Sequence, residues 1–435
     1  MTYNTKTTAV IGAGISGLAV ARMLKDEGHS VVVFETSRTI GGLVSCSVEK
    51  GNLYHRVGGH VFNSKIPAVL DWFWSHFDRD REFRKTQRNA SIFLNGRFVP
   101  YPIELNIKHL DNGVAERIVA ELVKLSNNSD IDGDEQSFGH FLVNNFGETL
   151  ADIYFLPYNN KIWKEDLFQM SLSWLRDKLP MISPLDIIRS NILSSSDTMV
   201  HSQFYYPVRG GSQFIAERLG AGLTIINEEV VTIQRAGNVY HINGQDDLVY
   251  DNIVYTGDLR MLPDIVSGSI LDSACINNDQ LDRVRNLKSH GTTTLLCECD
   301  VNPYSWLYLP DSSTKLHRMI MTGNFSSDNN NSSIPEKRIT CTVEYTGFMD
   351  QQEMTQELSR LPFNPTYIAY HHSPSSYVVH NSDTASAVNN LINIMESIGI
   401  YCCGRFAEWE YYNMDNAIFS AMRTKEQIKE RVLDR

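Results

Sequence analysis

The chain has 435 residues, a formal net charge of −12 at pH 7 and 42% hydrophobic residues. This length suits two or three domains, and the acidic composition argues against a nucleic-acid partner or membrane-surface binding. Seven scattered cysteines without a Cys-x-x-Cys pair indicate reduced thiols rather than a disulfide framework or a zinc site. No apolar run reaches membrane-spanning length, and the predicted fold begins too early for a signal peptide. We therefore expect a cytoplasmic globular protein without membrane insertion or a metal site.

The start of the chain carries a G-x-G-x-x-G turn between an apolar strand and a helix. Gly12 permits the tight turn, Gly14 lets a pyrophosphate approach the backbone, and Gly17 lets the helix pack on the strand. The first helical turn, which includes Ser16, offers free N–H groups to a phosphate. Glu35 ends the next apolar run, and its acceptor oxygens suit two ribose hydroxyls. The segment therefore predicts a site for the adenosine diphosphate part of a dinucleotide.

The residues just after Glu35 favour a flavin. Arg38 precedes the pair Gly41-Gly42 and Leu43, and this arrangement resembles the second FAD contact of the glutathione-reductase and amine-oxidase superfamily. Arginine can meet phosphate, and a glycine pair lets the backbone pass close to a cofactor. An exposed arginine beside an ordinary loop is the alternative. Together with Glu35, the element favours FAD over free NAD.

Farther along, the pattern alternates between helical and strand-like regions. Residues 66–180 have mostly helical spacing, interrupted by a hairpin around Asn95-Gly96. Strands are predicted at 223–226, 230–233 and 252–256, and residues 290–380 are rich in strands. The final segment reads as a strand, a Gly-Arg turn and a closing helix.

These patterns predict an α/β fold. We expect a Rossmann-like FAD-binding domain of the glutathione-reductase type, with a mostly helical insert and an antiparallel-sheet insert. The expected FAD-binding domain is discontinuous and comprises residues 1–64, 204–262 and 395–435. The helical substrate domain is expected at 65–180, and the sheet-rich substrate domain at 181–203 and 263–394.

A Gly58-Gly59-His60 turn follows a predicted strand. Such a turn allows the backbone to approach a flat ring and could aim His60 at a flavin. An ordinary loop histidine is the alternative interpretation of this short motif.

Three further segments combine aromatic side chains with cations. Aromatic rings provide planar faces for a base or a sugar, and cations bind phosphate; the alternative is that the rings anchor helices and strands in the core. The helical insert contains Tyr158, Asn159, Trp163, Trp174, Arg176 and Lys178. The sheet insert contains Tyr308, Arg318 and Tyr377. The C-terminal segment contains Gly404, Arg405, Tyr411, Asn413, Met414 and Asp415.

Taken together, these motifs resemble those of the UDP-galactopyranose mutases across nearly the whole chain. Those FAD proteins interconvert pyranose and furanose sugar nucleotides. Their Gly-x-His-x-Phe segment lies against the isoalloxazine ring near N5, where this chain has His60. Their Gly-Arg turn holds the flavin diphosphate, and a tyrosine six residues later faces the substrate, as Arg405 and Tyr411 are spaced here. The resemblance implies an isomerase, with a role in making galactofuranose for cell-surface polysaccharides.

The resemblance also implies a mechanism without net redox change. FAD is first reduced, with NADPH or NADH as the reductant, and reduced N5 attacks the anomeric carbon and expels the nucleotide diphosphate. The covalent N5–sugar adduct opens, recloses on another hydroxyl and is recaptured. The helix N-terminus at Asp415 would stabilise negative charge on the reduced flavin. The implied partner is a nucleotide sugar, and a homo-oligomer stays open.

The resemblance assigns roles residue by residue. The implied catalytic residues are His60, Arg318, Lys178 and Arg176. The implied FAD contacts are Gly12, Gly14, Ser16, Gly17, Glu35, Arg38, Gly41, Gly42, Leu43, Gly59, His60, Val231, Gly404, Arg405, Asn413, Met414 and Asp415. The implied substrate contacts are Tyr158, Asn159, Trp163, Trp174, Arg176, Lys178, Tyr308, Arg318, Tyr377 and Tyr411.

Two positions depart from the family pattern and keep alternatives open. Lys178 stands where the eukaryotic-type mutases have an arginine on the substrate diphosphate, and Arg176 lies two residues earlier. Asn413 stands where bacterial mutases have an aspartate. The rival is an oxidoreductase of the amine-oxidase or protoporphyrinogen-oxidase type. A redox-inactive binding protein is a third alternative. The sugar and the base are undetermined by the sequence.

Overall fold

The computed structural model describes residues 6–127, 137–172, 182–193, 203–273, 276–331, 333, 337–380 and 382–433. The strands are β1 (Thr7–Ile11), β2 (Ser30–Phe34), β3 (Cys46–Glu49), β4 (Asn52–His55), β5 (Phe83–Gln87), β6 (Ala90–Leu94), β7 (Arg97–Pro100), β8 (Gln203–Pro207), β9 (Thr224–Ile226), β10 (Ile233–Ala236), β11 (Val239–Ile242), β12 (Asn252–Tyr255), β13 (Ser289–Asp300), β14 (Trp306–Tyr308), β15 (Arg318–Ile320), β16 (Arg338–Thr346), β17 (Thr366–Val378) and β18 (Ile400–Cys402). The helices are α1 (Ile15–Asp26), α2 (Pro67–His76), α3 (Arg79–Glu82), α4 (Asn112–Asn127), α5 (Phe138–Phe146), α6 (Glu148–Leu150), α7 (Leu156–Trp163), α8 (Pro184–Leu193), α9 (Gly211–Gly220), α10 (Leu262–Ile265), α11 (Gly268–Ser273), α12 (Asn278–Arg285), α13 (Gln351–Glu357), α14 (Ser382–Ile398) and α15 (Met414–Leu433).

A five-stranded parallel sheet, in the order β18-β12-β1-β2-β9, forms the centre of the first domain. Its strands are short and apolar because both faces of the sheet are covered. Helices α1, α2, α9 and α15 contribute to the core on one face. The hairpin β10–β11 and helices α10, α12 and α14 contribute to the core on the other. This is a Rossmann-like layer arrangement.

A seven-stranded sheet, in the order β17-β13-β16-β15-β14-β6-β7, forms the second layer. Its pairs are antiparallel except β14 with β6. Side chains that alternate along β14 and β15 divide between two cores: Leu307 and Met319 face α13, whereas Trp306, Tyr308 and Ile320 pack towards the helical insert. The sheet therefore lies between the helical insert on one face and α13 on the other.

The helical insert contains α4 to α8. Between α6 and α7 the chain forms a π-helical segment, Ala151–Phe155. The next helix contains Pro157, which lacks a backbone N–H. π-Helical segments recur at functional sites, and this one directly precedes Tyr158.

The predicted fold class is confirmed: a Rossmann-like α/β domain carries one helical and one sheet insert. Some elements lie elsewhere than expected. The hairpin β6–β7 joins the seven-stranded sheet, although we expected it inside the helical insert. Helix α2 packs on the parallel sheet's side, and α8 packs against α4. Residues 230–232 form no strand; the ladder there begins at Ile233 because the preceding backbone is tied to Asn243.

Six of the seven cysteines are described, and each is buried with a free thiol. Within the described part of the chain, no cluster of histidine, cysteine and acidic side chains could hold a metal ion. None of the helices described is both long and apolar enough to cross a membrane.

Candidate functional site

A cavity of about 610 Å³ opens at the carboxyl ends of the parallel strands. Its wall includes Ile11, Phe34 and Tyr255, the last residues of β1, β2 and β12. In open α/β sheets this edge is where ligands bind, because the strand-to-helix turns and helix N-termini meet there. The predicted dinucleotide residues that line it are Gly12, Gly14, Ser16, Glu35, Gly41, Gly42 and Leu43.

Each glycine of the G-x-G-x-x-G turn is required for a different reason. Gly12 has a φ of +104°, a conformation that other residues rarely adopt. A Cβ on Gly17 would lie 2.0 Å from the Gly12 carbonyl oxygen, so the helix could not pack so closely with any side chain there. A Cβ on Gly14 would meet nothing within 4 Å. Gly14 therefore faces open space in the cavity, as a close pyrophosphate requires.

The carboxylate of Glu35 is fixed by the backbone around it. Its Oε2 accepts a hydrogen bond from the Ala13 N–H at 2.7 Å, and its Oε1 accepts one from the Ser37 N–H at 2.8 Å. Each oxygen retains a further lone pair for a ribose hydroxyl. Arg38, by contrast, is exposed and is not part of the cavity wall.

The predicted adenine contact lies one residue from the cavity. Val230 lines the wall, whereas Val231 is 54% exposed and its N–H donates to Asn243 Oδ1. Gly404 is also behind the wall, where a Cβ would lie 2.3 Å from Ser16 Oγ. Close packing against the first turn of α1, rather than direct contact with a ligand, explains this glycine.

A second cavity of about 240 Å³ adjoins the first. The two cavities share Val57, His60, Arg405, Asn413 and Met414. The smaller one is also lined by Gly59, Arg88, Tyr308, Arg318, Tyr377, Tyr411 and Asp415. A flat group bound at this end of the larger cavity would therefore present its edge to a molecule in the smaller cavity.

His60 stands at the junction of the two cavities. Burial, with Arg405 and Arg318 nearby, lowers the pKa of His60 to about 3. Its Nε2 is buried and has no hydrogen-bond partner in the described protein. The imidazole is therefore neutral at physiological pH, and it can exchange a hydrogen bond with a bound group without serving as an imidazolium acid.

Arg318 projects from β15 into the smaller cavity and is held by Glu344 of β16. Its Nη2 donates to Glu344 Oε1 and, at 3.2 Å, to the Tyr377 hydroxyl. His317 Nε2 lies 3.0 Å from the same carboxylate oxygen. Burial alone would raise the pKa of Glu344, but Arg318 and His317 lower it to about 2. The carboxylate is charged, and the Arg318 Nε is buried without a partner in the described protein.

A second cation in the smaller cavity was missed by the sequence analysis. Arg88 donates to the Tyr308 hydroxyl, and its guanidinium carbon lies 5.2 Å from the Tyr101 ring centroid and 5.1 Å from that of Trp306. Such cation–π contacts hold the planar group in place. Arg88 comes directly before a predicted hairpin, and nothing in the local sequence separates it from a surface arginine.

Arg405 binds the protein's own backbone at the junction. Its Nε donates to the Tyr412 carbonyl at 3.0 Å and its Nη1 to the Ser376 carbonyl at 2.8 Å. Its guanidinium carbon lies 4.8 Å from the Tyr411 ring centroid. Tyr411 in turn stacks on Tyr377, with ring centroids 5.8 Å apart and an interplanar angle of 8°. Arg405 therefore orients both tyrosines while facing both cavities.

The aromatic residues of α7 lie behind the wall of the smaller cavity. Tyr158 is buried and meets Tyr308 edge-on, with ring centroids 5.4 Å apart. Trp163 meets Tyr377 and Tyr411 edge-on, each at 6.2 Å. Asn159 donates to the Phe155 carbonyl within its own helix. These residues support the cavity-lining tyrosines.

Lys161 lies on α7 between Tyr158 and Trp163 and has a structural role. Its Nζ donates to the carbonyl oxygens of Leu309, Asp311 and Leu316 at 2.7, 2.6 and 3.1 Å. These three carbonyls belong to the connection between Tyr308 and Arg318. The lysine thus fixes α7 to the loop that joins two cavity residues.

Trp174, Arg176 and Lys178 lie outside the described residues. Their predicted contacts with the substrate stay predictions.

At the other end of the site, α15 begins at Met414, and its first turn faces the junction. The helix N-terminus places partial positive charge there, as we expected for a site that stabilises an anion.

FAD fits the larger cavity on these observations. The open space at Gly14 accommodates a pyrophosphate, Glu35 has lone pairs for a ribose, and the unpartnered His60 Nε2 lies where a flavin ring would end. The cavity volume of about 610 Å³ is within the range for cofactor sites.

Comparison with known proteins gives the following relatives. Residues 10–76 match the model of the NAD(P)-binding Rossmann-like domain. A probable UDP-galactopyranose mutase from Klebsiella pneumoniae is 24% identical over 41% of this chain and 46% of its own length. A dTDP-fucopyranose mutase from Escherichia coli is 24% identical over 40% of this chain and 45% of its own length. The chain thus matches less than half the length of these curated relatives.

The structural likeness extends much farther than the sequence likeness. A crystal structure of reduced UDP-galactopyranose mutase superposes with a TM-score of 0.83 and 21% identity, over 98% of this chain and 96% of that one. A putative protoporphyrinogen oxidase from Exiguobacterium superposes with a TM-score of 0.73 and 16% identity, over 98% and 99%. The chain therefore shares the fold of these two proteins over nearly its whole length.

Proposed function

We propose that this protein is a flavin-dependent mutase that interconverts the pyranose and furanose forms of a sugar nucleotide. The observation that carries the proposal is the junction of two cavities at His60 and Arg405. The larger cavity fits FAD, and the smaller one is lined by arginines and tyrosines. An oxidase for a simple amine would not need cations at that position.

In this proposal FAD is held along the larger cavity. Gly14 and the first turn of α1 bind the pyrophosphate, Glu35 binds the adenosine ribose, and Val230 borders the adenine end. His60, Asn413 and the N-terminus of α15 border the flavin. Bound FAD, once reduced by NADPH or NADH, supplies the nucleophile for the anomeric carbon of the sugar.

The protein's own contribution is to bind and retain the nucleotide diphosphate. Arg318 offers its unpartnered Nε and its outer N–H groups, and Arg88 adds a second guanidinium. Both are fixed before the substrate arrives, by Glu344 and by Tyr308. Preorganised donors stabilise the negative charge that develops on the departing diphosphate and keep it in place for the return step.

Tyrosines enclose the sugar in this arrangement. Tyr377 and Tyr411 form a stacked pair beside Arg318, and Tyr308 stands on the same wall. Their rings exclude water, and their hydroxyls donate hydrogen bonds. The neutral His60 exchanges a hydrogen bond at the flavin edge. We also propose that Lys178 or Arg176 completes the diphosphate site.

The substrate class follows from the relatives. The Klebsiella pneumoniae protein is named for UDP-galactopyranose and the Escherichia coli protein for dTDP-fucopyranose. We therefore propose a hexopyranose linked to a pyrimidine nucleoside diphosphate, with UDP-galactopyranose as the first substrate to test.

The test is product analysis under anaerobic conditions. UDP-, dTDP- and GDP-sugars are incubated with the protein carrying oxidised FAD and with dithionite-reduced protein. The products are separated, and their masses are measured by mass spectrometry. The proposal expects an isomer of unchanged mass that forms only with reduced FAD. The absence of an isomer from every sugar nucleotide would overturn it.

The competing function is an FAD-dependent oxidoreductase, which the superposition on a putative protoporphyrinogen oxidase favours. Its signature is reduction of the bound FAD by a substrate, which yields a product of changed mass, followed by reoxidation of the flavin once air is admitted after the anaerobic incubation. An amine and a protoporphyrinogen are included as substrates for this reason.

A further inference from the structure

Arg56 is a cation in the wall of the larger cavity. It belongs to none of the sequence motifs and has no role in the proposed reaction. It follows β4 and directly precedes the turn from Val57 to His60. Its backbone is fixed, because its carbonyl oxygen accepts a hydrogen bond from Thr294 Oγ1 at 2.8 Å. Its Nη2 donates to Ser45 Oγ at 3.0 Å. Both Ser45 and Arg56 line the cavity.

The charge of this guanidinium is not compensated by the described protein. Arg56 forms no ion pair with any carboxylate of the described residues, whereas Arg318 pairs with Glu344 and Arg260 pairs with Asp258. The Nε of Arg56 is buried and has no hydrogen-bond partner there. A buried donor and an unpaired charge both cost free energy unless a ligand satisfies them.

Arg56 lies in a different part of the larger cavity from the acidic side chains that also line it. Glu35, Glu228 and Glu229 lie where β2 and β9 end, beside the expected ribose and adenine. Arg56 instead adjoins Val57 and the His60 turn, which border the smaller cavity as well. Arg56 is therefore at the flavin end of the cavity.

The Gly58 turn also separates Arg56 from the substrate cation. A Cβ on Gly58 would lie 3.5 Å from Arg318 Nη2, so the turn packs directly on that arginine. Arg318 lines only the smaller of the two cavities and Arg56 only the larger. Each arginine thus serves a different occupant.

We propose that Arg56 faces the isoalloxazine ring of bound FAD and stabilises the negative charge of the reduced ring. The proposal rests on FAD as the cofactor. A hydride donor such as NADH or NADPH transfers two electrons and one proton, so the reduced ring carries one negative charge unless a second proton follows. An uncompensated guanidinium beside the ring favours that anion and so makes reduction easier.

The first test is the two-electron midpoint potential of bound FAD, measured by dye equilibration without any sugar nucleotide. Arg56→Gln is expected to lower the equilibrium constant for reduction at least tenfold, which is about 30 mV for a two-electron couple. Arg56→Lys, which keeps the charge, is expected to restore most of the potential. Arg84→Gln removes an exposed arginine of β5 and is the matched control. An unchanged potential in Arg56→Gln overturns the proposal.

A second measurement distinguishes whether Arg56 acts on the isoalloxazine ring or on the diphosphate of FAD. FAD and ADP affinities of the apoprotein are compared in the same variants. Arg56→Gln is expected to weaken the binding of reduced FAD more than that of oxidised FAD while leaving ADP unchanged. An equal loss for FAD in both redox states and for ADP would place the arginine on the diphosphate and overturn the assignment.

A third measurement needs no variant. The absorbance of the dithionite-reduced protein is followed as the pH is lowered. The spectrum of the anionic reduced flavin is expected to persist below the pH at which free reduced flavin is protonated, and a neutral spectrum at that pH would contradict the proposal. These measurements are independent of mutase activity, so Arg56 and the proposed function can fail separately.

Discussion

Arg318 and Glu344 stand directly opposite each other on neighbouring antiparallel strands, and the guanidinium donates to the carboxylate within the buried sheet. Glu344 is fully buried, and the side chain of Arg318 is 22% exposed. The carboxylate therefore positions the arginine, while the exposed part of the arginine faces the smaller cavity. The cross-strand ion pair thus forms part of the wall of the smaller cavity.

The first prediction concerns Arg318→Ala. The variant should raise KM for the sugar nucleotide and lower kcat, with kcat/KM reduced at least tenfold, because a charge-assisted hydrogen bond contributes about 1.5–3 kcal/mol. FAD should stay bound. Steady-state kinetics and the flavin absorbance of the purified protein check both parts.

Removing Arg318 alone leaves Glu344 buried without its partner, so stability has to be controlled. The double variant Arg318→Met with Glu344→Gln removes both charges and should fold while showing the same kinetic defect. Unchanged kinetics, or loss of FAD from the double variant, would contradict the assignment.

The second prediction concerns acid stability. Arg318 and His317 lower the pKa of Glu344 to about 2 from its ordinary value of 4.5. The folded state therefore gains stability above pH 4.5 and loses it as the pH falls from 4.5 towards 2. Urea unfolding of wild type should show this loss, and Glu344→Gln should flatten it. Glu217→Gln, an exposed change on α9, should keep the wild-type slope.

The third prediction compares two glycines of the same motif. Gly14→Ala should fold normally, since its methyl group meets no protein atom within 4 Å, but should weaken FAD binding because the methyl group enters the cavity. Gly17→Ala should destabilise the protein, since its methyl group would lie 2.0 Å from a carbonyl oxygen. Thermal unfolding of the apoproteins and FAD titration separate the two. Equal effects of both changes would refute this division.

The fourth prediction is that Arg405→Ala empties the protein of FAD. The arginine lines both cavities and bonds to two carbonyls, so its loss leaves the junction without its central support. Flavin absorbance after gel filtration is the measurement. Arg423→Ala removes an arginine of α15 that pairs with Glu408, and this variant should retain FAD. A yellow Arg405→Ala protein would count against the role.

The fifth prediction concerns Glu104, a buried acid of the helical insert. Burial raises the pKa of Glu104 from 4.5 to about 7. The folded state binds this proton more tightly, so stability falls as the pH rises from about 4.5 to about 7 and stays lower above that. Glu104→Gln should therefore stabilise the protein at pH 8 by on the order of 2 kcal/mol and much less at pH 5.

Urea unfolding at the two pH values measures this difference. Glu116→Gln on the exposed face of α4 is the control and should change stability little at either pH. A variant that is less stable than wild type at pH 8 would show that the carboxylate has a favourable partner.

The dinucleotide motif was predictable because its causes are local. Gly12, Gly14 and Gly17 need particular backbone conformations or close approaches within one turn, and Glu35 ends the strand beside them. These requirements are visible as residue types at fixed spacing. Residues outside that short range are harder to place: Arg38 is exposed, and Val230 rather than Val231 faces the cavity.

The substrate side depends on contacts between distant segments. Glu344 is 26 residues from Arg318, and Arg88 meets Tyr308 across 220 residues. Neither residue belongs to a motif, so no local pattern marks it. The one available signal for Glu344 was its position in the interior of strand β16, between Val343 and Tyr345, since burial of a charge requires a partner.

The sequence by itself determined the Rossmann-like fold class, the glycine turn and the cations and tyrosines near the C-terminus, because local backbone needs and strand periodicity specify them. The tertiary structure alone decided which cations face which cavity. Arg318 reaches the smaller cavity because β15 pairs with β16, and Arg56 reaches the larger one because the Gly58 turn lies between them. The charge of a side chain is known from the sequence, but the group that this side chain faces is set by packing between segments far apart in the chain.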